Sequence, residues 1–416
     1  CKESGLTLLV FTAGIELCSA NRSANTRGAS FRGALVACMA LGLFFAISVL
    51  RFRITHGSAA PFGFVDTPIQ YHDNKMVRTW SYLNQHAFYA KLMVLPGKLS
   101  WDYSFDTIPH LRAGVLDLRA LGVFATYLAL AALASWSLAG RGHVHGARSR
   151  RAVLLGLQHA IVPFVPASNL FFVVGVTVGE RLLYTSTVGF AAVFAALGEH
   201  LEGGQSPSQR KSRKWPLRAG CVLLAIYCYR CHTRVLQWQS SEALYEADAA
   251  SWPTSVKTQH QLGTVYHHQG RYEEALFHYN ASLQVLDDNA LTDHCIGQIY
   301  LETAQYQKAL ERFEKIVSGN LVGFSPFNIW MLWIDYGFTL VTLSHFEDGI
   351  SRLQQGLARN LDVPHGLNAL GYAFYRLNEL QQAQDTFAQA LEYDPENPLI
   401  WNNLAAVWMR AGAFQE

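Results

Sequence analysis

The chain has 416 residues, 50% of them hydrophobic and 15% charged, where ordinary soluble domains carry about 25% charged residues. A net charge of +2 gives no basic surface for a nucleic acid, so no nucleic-acid partner is expected. The seven cysteines are scattered, and the one close pair, Cys228-Tyr-Arg-Cys231, lacks the second pair a zinc site needs. No metal site is therefore expected. The length predicts two or three domains.

The composition is not uniform along the chain. Long uncharged runs fill residues 4–230, and later sequence is mixed and charged. A membrane span needs about 20 mostly apolar residues. Six runs qualify or come close: Gly5–Ala20 (interrupted by Glu16), Gly33–Leu50, Ala120–Gly140, Ala152–Gly179 (broken by Pro163 and Pro166), Leu182–Gly198 and Ala219–Tyr229. Three short basic loops alternate with pairs of these runs: Asn21–Arg32, Arg141–Arg151 and Gln209–Lys214. All three can lie on the cytoplasmic side at once, which the distribution of Lys and Arg in membrane proteins favours. This arrangement places the loop 51–119, the hinge 169–181 and everything after Tyr229 on the far side. A glycosylation sequon, Asn280-Ala-Ser282, falls there; a second, Asn21-Arg-Ser23, falls in a cytoplasmic loop.

The loop 51–119 is too long for a plain connector. Its aromatic residues, including Trp80, Tyr82, Phe88, Tyr89, Trp101 and Tyr103, suit helices lying at a membrane interface. It also holds Asp66, Asp73, Asp102, Asp106 and Asp117. Asp102 lies between apolar neighbours, whereas Asp73 and Asp117 read as solvated loop acids. Further on, the apolar stretch from Pro166 to Tyr184 is broken by one adjacent charge pair, Glu180-Arg181. Charges inside membrane segments are expensive and mark candidate functional sites. The alternative for Glu180 and Arg181 is a structural pair, and for Asn169 a simple helix cap.

From about residue 250 a fixed period emerges. Gly263, Gly297, Gly337, Gly371 and Ala405 are separated by 34, 40, 34 and 34 residues. Twelve residues after the glycines come Ala275, Ala309, Gly349 and Ala383, and four further on Tyr279, Phe313, Leu353 and Phe387. Small residues where paired helices touch, with large ones filling between them, make the tetratricopeptide pattern. Four full repeats and an incomplete fifth are expected, with the longer turn near Phe324–Phe327. Because the chain starts at Cys1 and stops within a repeat, it reads as a fragment truncated at both ends. The expected domains are a multi-spanning membrane domain over 1–235 and a repeat array over 236–416, an all-α architecture. Such an array presents a concave surface for an extended polypeptide or acts as a spacer.

These residues carry a family resemblance. Cys1-Lys2-Glu3-Ser-Gly5, Asp66-Thr-Pro68, Leu95-Pro96 through Asp102-Tyr103-Ser104, Pro166-Ala-Ser-Asn169-Leu-Phe171, Glu180-Arg181-Leu-Leu-Tyr184 and Trp238–Leu244 resemble stretches of the transmembrane and tetratricopeptide-repeat O-mannosyltransferases. The sequence departs from the family at Thr67, where an Asn is usual, and at Thr185, where a proline is common. The resemblance implies a polytopic GT-C type membrane fold in the endoplasmic reticulum with luminal repeats. It implies transfer of mannose from dolichyl-phosphate mannose, a lipid-linked donor, to Ser or Thr hydroxyls of a luminal acceptor protein held on the repeats. The family's first luminal loop, expected to supply the base, lies upstream of Cys1.

The chemistry suits the residues. The leaving group is already a phosphate, so no general acid is needed, and the acceptor hydroxyl needs a carboxylate base. A guanidinium matches phosphate bidentately. Arg181 is the expected phosphate ligand, with Lys2 and the neighbouring Glu3 as further donor-site residues. Glu180, Asp102 and Asp66 are the candidate catalytic carboxylates; Asn169, Tyr184 and Tyr103 would line the sugar or acceptor side. No cofactor beyond the donor is expected. Two other readings stay open: a membrane-anchored adaptor that only binds partners through its repeats, and a transporter hinged at Pro163–Pro166.

Overall fold

The computed structural model describes residues 63–112, 116–139, 144–165, 168–169, 177–203, 215–319 and 329–412, with isolated positions between 35 and 53. The expected span Gly5–Ala20, most of Gly33–Leu50, Lys2, Glu3, the basic loops 21–32 and 209–214, and the 324–327 turn lie outside the described residues. All regular elements described are helices. The chain divides into two compact units, 1–258 and 259–416.

In the first unit, α1 (Lys75–Val94) starts at Asn74, whose side chain accepts from the Met76 and Val77 amides at 2.8 and 3.4 Å. It ends before Leu95-Pro96, since a proline disfavours helix in the residue preceding it. Its buried face runs through Val77, Ser81, Gln85, His86, Tyr89 and Leu92. The polar members of that face are all bonded, as burial requires. Ser81 accepts from the Leu111 amide at 3.1 Å, and Gln85 accepts from Asn169 at 3.2 Å. His86 bridges the Tyr127 hydroxyl and the Ser168 carbonyl, each at 2.6 Å.

Helices α2 (Ala120–Leu138), α3 (Val144–Ile161) and α4 (Tyr184–Gly203) follow. Among the described residues, two segments are long and apolar enough to cross a membrane: Ala120–Leu138 and Glu180–Leu201. The expected crossings Ala120–Gly140 and Leu182–Gly198 fall on them. Helices α3 and α4 pack closely through Gly156 and Gly189. A Cβ on Gly156 would stand 3.0 Å from the Gly189 carbonyl oxygen, and one on Gly189 would overlap the α3 backbone. Small residues at such a crossing let backbones approach, the usual device between membrane helices. The expected run Ala219–Tyr229 lies within α5 (Trp215–Gln237), which also holds Arg218, Arg230 and Arg234. The short helix α6 (Ser241–Ser251) is capped by Ser240, which accepts from the Ala243 amide at 3.1 Å.

The second unit is a tetratricopeptide array. Its helix pairs are α7–α8 (Val256–His268, Tyr272–Val285), α9–α10 (Ala290–Glu302, Tyr306–Ser318), α11–α12 (Ile329–Thr342, Phe346–Leu357) and α13–α14 (Pro364–Arg376, Leu380–Tyr393). A single helix, α15 (Pro398–Ala411), closes the described residues. The first residues of α7 belong to the first unit by this division.

The periodic residues make the packing. A Cβ on Gly263, Gly297 or Gly371 would lie 2.7, 2.5 or 2.8 Å from the ring of Tyr279, Phe313 or Phe387, and all three rings are fully buried. The turn between paired helices repeats as well. Gly270, Ala304, Ser344, Asn378 and Gly412, each seven residues after the small helix residue, have φ of 73°, 55°, 68°, 67° and 78°. This left-handed conformation is free for glycine and strained for the others.

Candidate functional site

The site is built around the loop 98–104, which follows α1. Its backbone and side chains converge on two carboxylates from distant parts of the chain. Glu180 Oε1 accepts from the Ser100 amide and from the Tyr103 hydroxyl, both at 2.7 Å. Asp248 Oδ2 accepts from the Trp101 amide at 2.6 Å and from the Ser100 hydroxyl at 3.4 Å. The Arg234 guanidinium on α5 meets Asp248 at 2.6 Å, and both side chains are nearly dry, at 11% and 1% exposure. Successive loop residues are thus claimed by acids from the Glu180 turn and from α6.

Tyr103 is fully buried. Its ring packs edge-on against Phe88 and Trp252, with centroids 5.4 and 5.6 Å away. Burial, reinforced by the Glu180 carboxylate, pushes its hydroxyl far above the usual phenol range, so Tyr103 is a fixed proton donor to Glu180.

A second cluster joins Asp66 and Asp102. Lys257 Nζ pairs with Asp66 and lies 3.6 Å from Asp102 Oδ2, while Asp102 Oδ1 accepts from the Ser104 amide at 2.6 Å. The Phe105 amide donates to the Val65 carbonyl at 2.9 Å, tying the 63–68 segment to this loop. Trp101 Nε1 donates to Thr258 Oγ1 at 3.2 Å.

Of the residues singled out from sequence, Asp66, Asp102, Tyr103 and Glu180 thus meet in clusters sharing one loop. Glu180 and Arg181 do not pair with each other. Arg181 is exposed and makes no ion pair among the described residues, and Tyr184 is turned outward at 83% exposure. Asn169 stands in the left-handed region at φ 57° and donates to Gln85. Arg234, Asp248, Lys257 and the Ser100 amide were not anticipated. One signal existed: Leu244 and Asp248 are one turn apart, so the acid occupies the helix stripe that buries Leu244. Among the described residues, no group of three or more His, Cys, Asp or Glu could hold a metal ion.

A cavity of about 780 Å³ opens beside this site. It runs between α1, α2, α3 and α4, lined by Ala129, Leu130, Leu133, Leu157, Val193 and Leu197 along its length. Phe88 and Trp252, the rings against Tyr103, line it too, as do the cations Lys91 and Arg119.

Residues 56–131, which hold Asp66 and the 98–104 loop, match the family model described as Protein O-mannosyl-transferase TMTC, DUF1736. The chain resembles the TMTC protein O-mannosyl-transferases. Tetratricopeptide-repeat models match residues 254–320, 339–383 and 368–416. Similar curated proteins include Protein O-mannosyl-transferase TMTC4 of Mus musculus, 29% identical over 301 residues, covering 67% of this chain and 39% of the relative. TMTC4 of Homo sapiens is 30% identical over 259 residues, covering 61% and 32%. TMTC3 of Mus musculus is 26% identical over 331 residues, covering 77% and 35%. The chain therefore spans about a third of the length of these relatives. Among solved structures, the tetratricopeptide-repeat protein YrrB, described as having an unusual peptide-binding site, overlays with a TM-score of 0.37 at 19% identity, covering 42% of this chain and 87% of that one. The MamA protein overlays at 0.34 and 16% identity, covering 38% and 83%. The resemblance expected from the motifs is borne out, as is the all-α fold with its repeat array.

Proposed function

We propose that this chain belongs to a membrane enzyme of the endoplasmic reticulum that transfers mannose from dolichyl-phosphate mannose to Ser or Thr hydroxyls of luminal proteins. The observation that carries this reading is the apolar cavity. Its Phe88 and Trp252 lining rings pack on Tyr103, whose hydroxyl holds Glu180. A lipid chain suits such a cavity, and a sugar phosphate suits the polar cluster beside it. The names of the TMTC relatives support the transfer itself.

In the proposed reaction the acceptor oxygen forms a bond to the anomeric carbon of mannose. The bond from that carbon to the phosphate oxygen breaks, and dolichyl phosphate departs with the electron pair. The acceptor proton passes to a carboxylate. Glu180 fits this work because Oε2 has no hydrogen-bond partner among the described residues while Oε1 is anchored twice. Asp66 and Asp102 are already engaged with Lys257 and fit a positioning or sugar-binding part. Arg181, exposed and without an ion pair among the described residues, is a guanidinium available to a phosphate. The repeats would hold the acceptor polypeptide.

The test compares wild type, Arg181→Ala and Glu180→Gln for transfer of labelled mannose from dolichyl-phosphate mannose in membranes. Transfer by wild type, with a loss of 100-fold or so in each variant at unchanged expression and topology, supports the reading. Equal transfer by a variant removes that residue from the site. Absence of transfer by wild type and full-length protein alike favours a membrane-anchored adaptor.

A further inference from the structure

The sequon Asn280-Ala-Ser282 lies inside α8 rather than in a surface loop. Asn280 is exposed, while Ser282 is completely buried. Phe277 lies one helical turn before Asn280, on the same face, and is 69% exposed. Glu273 and Gln284 continue this outward stripe, which faces away from the repeat packing made by Ala275, Tyr279, Ser282 and Leu283.

We propose that Asn280 carries an N-linked glycan, attached before α8 closes, whose first sugar lies against the Phe277 ring. This rests on the luminal placement of the repeats. The transfer joins the Asn280 amide nitrogen to the anomeric carbon of a polyprenyl-diphosphate oligosaccharide. The bond from that carbon to the diphosphate oxygen breaks, the polyprenyl diphosphate departs with the electron pair, and the amide proton passes to water. Sequon recognition needs the Ser282 hydroxyl as well as the amide. In the folded repeat that hydroxyl is out of reach, so attachment precedes packing.

The fold allows this order of events. One repeat cannot bury its apolar face alone and closes only when its neighbour arrives. Until α9 and α10 emerge, the α8 segment stays open. Once closed, the helix holds Asn280 on its exposed face. The Phe277 ring supplies an apolar face for the sugar's C–H groups, covering surface that is otherwise wet.

The experiment expresses the chain in mammalian cells and reads the glycosidase-sensitive gel shift. Asn280→Gln removes the site; Asp362→Thr is a control that creates a sequon at the half-buried Asn360, in the turn between α12 and α13 where Leu361 and Asp362 are exposed. The expected result is a one-glycan shift in wild type, none in Asn280→Gln, and a second shift in Asp362→Thr. A shift in Asp362→Thr without one in wild type overturns the proposal and leaves the luminal reading standing. No shift in either overturns both. Phe277→Ala is expected to lower thermal protection of α8 amides in the glycosylated chain but not in the deglycosylated one; equal effects in both overturn the sugar–ring contact.

Discussion

The Tyr103 hydroxyl donates to Glu180 Oε1 at 2.7 Å, joining residues 77 positions apart in the chain. Tyr103→Phe keeps the ring between Phe88 and Trp252 and removes the hydroxyl, with its bond to Glu180 and its longer contact, 3.2 Å, to the Lys98 carbonyl. A hydrogen bond to a charged group is worth about 1.5–3 kcal/mol, so the variant should be measurably less stable. If Glu180 acts in transfer, activity should fall further than stability, because one of the two bonds aiming the carboxylate is gone. Thermal unfolding in detergent, run beside the mannose-transfer assay, checks both. Unchanged melting and unchanged transfer would show that the Ser100 amide alone suffices to hold Glu180.

Arg234 and Asp248 form a nearly dry ion pair, with side chains 11% and 1% exposed. Breaking a buried pair by removing one partner typically costs about 3–5 kcal/mol, because the other charge is left stranded. Asp248→Leu and Arg234→Met should each be severely destabilising, and the two together should be milder than the sum. A double-mutant cycle on melting temperature measures the difference. Asp248 also receives the Trp101 amide, so the double variant should still loosen the 98–104 loop. Strictly additive effects would mean that the pair is not coupled.

The repeats were legible because their contacts are local and periodic. Gly297 and Phe313 are 16 residues apart, and the same spacing recurs at Gly263–Tyr279 and Gly371–Phe387. The left-handed turn position was not legible, since Gly270, Ala304, Ser344 and Asn378 share no side-chain chemistry. At the candidate site, the charge break in an apolar run pointed to Glu180, and the apolar neighbours of Asp102 pointed to its loop. What those acids would bind was hidden. Asp248 reaches Trp101 across 147 residues and Lys257 reaches Asp66 across 191, and no local pattern encodes such pairings. Arg181 and Tyr184, adjacent in motif to Glu180, turn outward because the short helical turn at 180–183 sends successive side chains in different directions.

Two histidines give the repeat unit opposite pH responses. Burial disfavours charge on His294, but the Asp335 carboxylate, 2.9 Å away, and Cys295 outweigh it and lift the pKa from 6.5 to about 9. Its contribution is complete below about pH 6.5 and is lost as pH rises toward 9. His260 is half-buried and bonded to Thr292 Oγ1 at 3.0 Å, and its removal from water lowers its pKa to about 4. Its contribution is complete above about pH 6.5 and is lost as pH falls toward 4. Stability of this unit should therefore peak near pH 6.5, falling on each side by an amount on the order of a few kcal/mol. Hydrogen exchange of α9 and α11 amides in the whole protein, corrected for intrinsic pH dependence, reads this profile. His294→Gln should flatten the alkaline limb alone; a limb that persists would assign it to another group.

Ala304 sits at φ 55° where its counterparts Gly270 and Gly412 sit at 73° and 78°. A non-glycine residue pays roughly 1–2 kcal/mol in the left-handed region, whereas glycine adopts it freely. Glycine also gains freedom in the unfolded chain, which offsets about 0.4–1 kcal/mol of that strain. The native-state term is larger, so Ala304→Gly should stabilise the α9–α10 repeat, by about 0.5–1 kcal/mol. Ser344→Gly should act in the same direction on α11–α12, where φ is 68°. Because the two turns lie in different repeats, the gains should add when combined. Slower hydrogen exchange in α9 and α10 for the first variant, and in α11 and α12 for the second, is the expected outcome. Faster exchange in either pair would mean that the turn holds its shape through side-chain interactions rather than despite them.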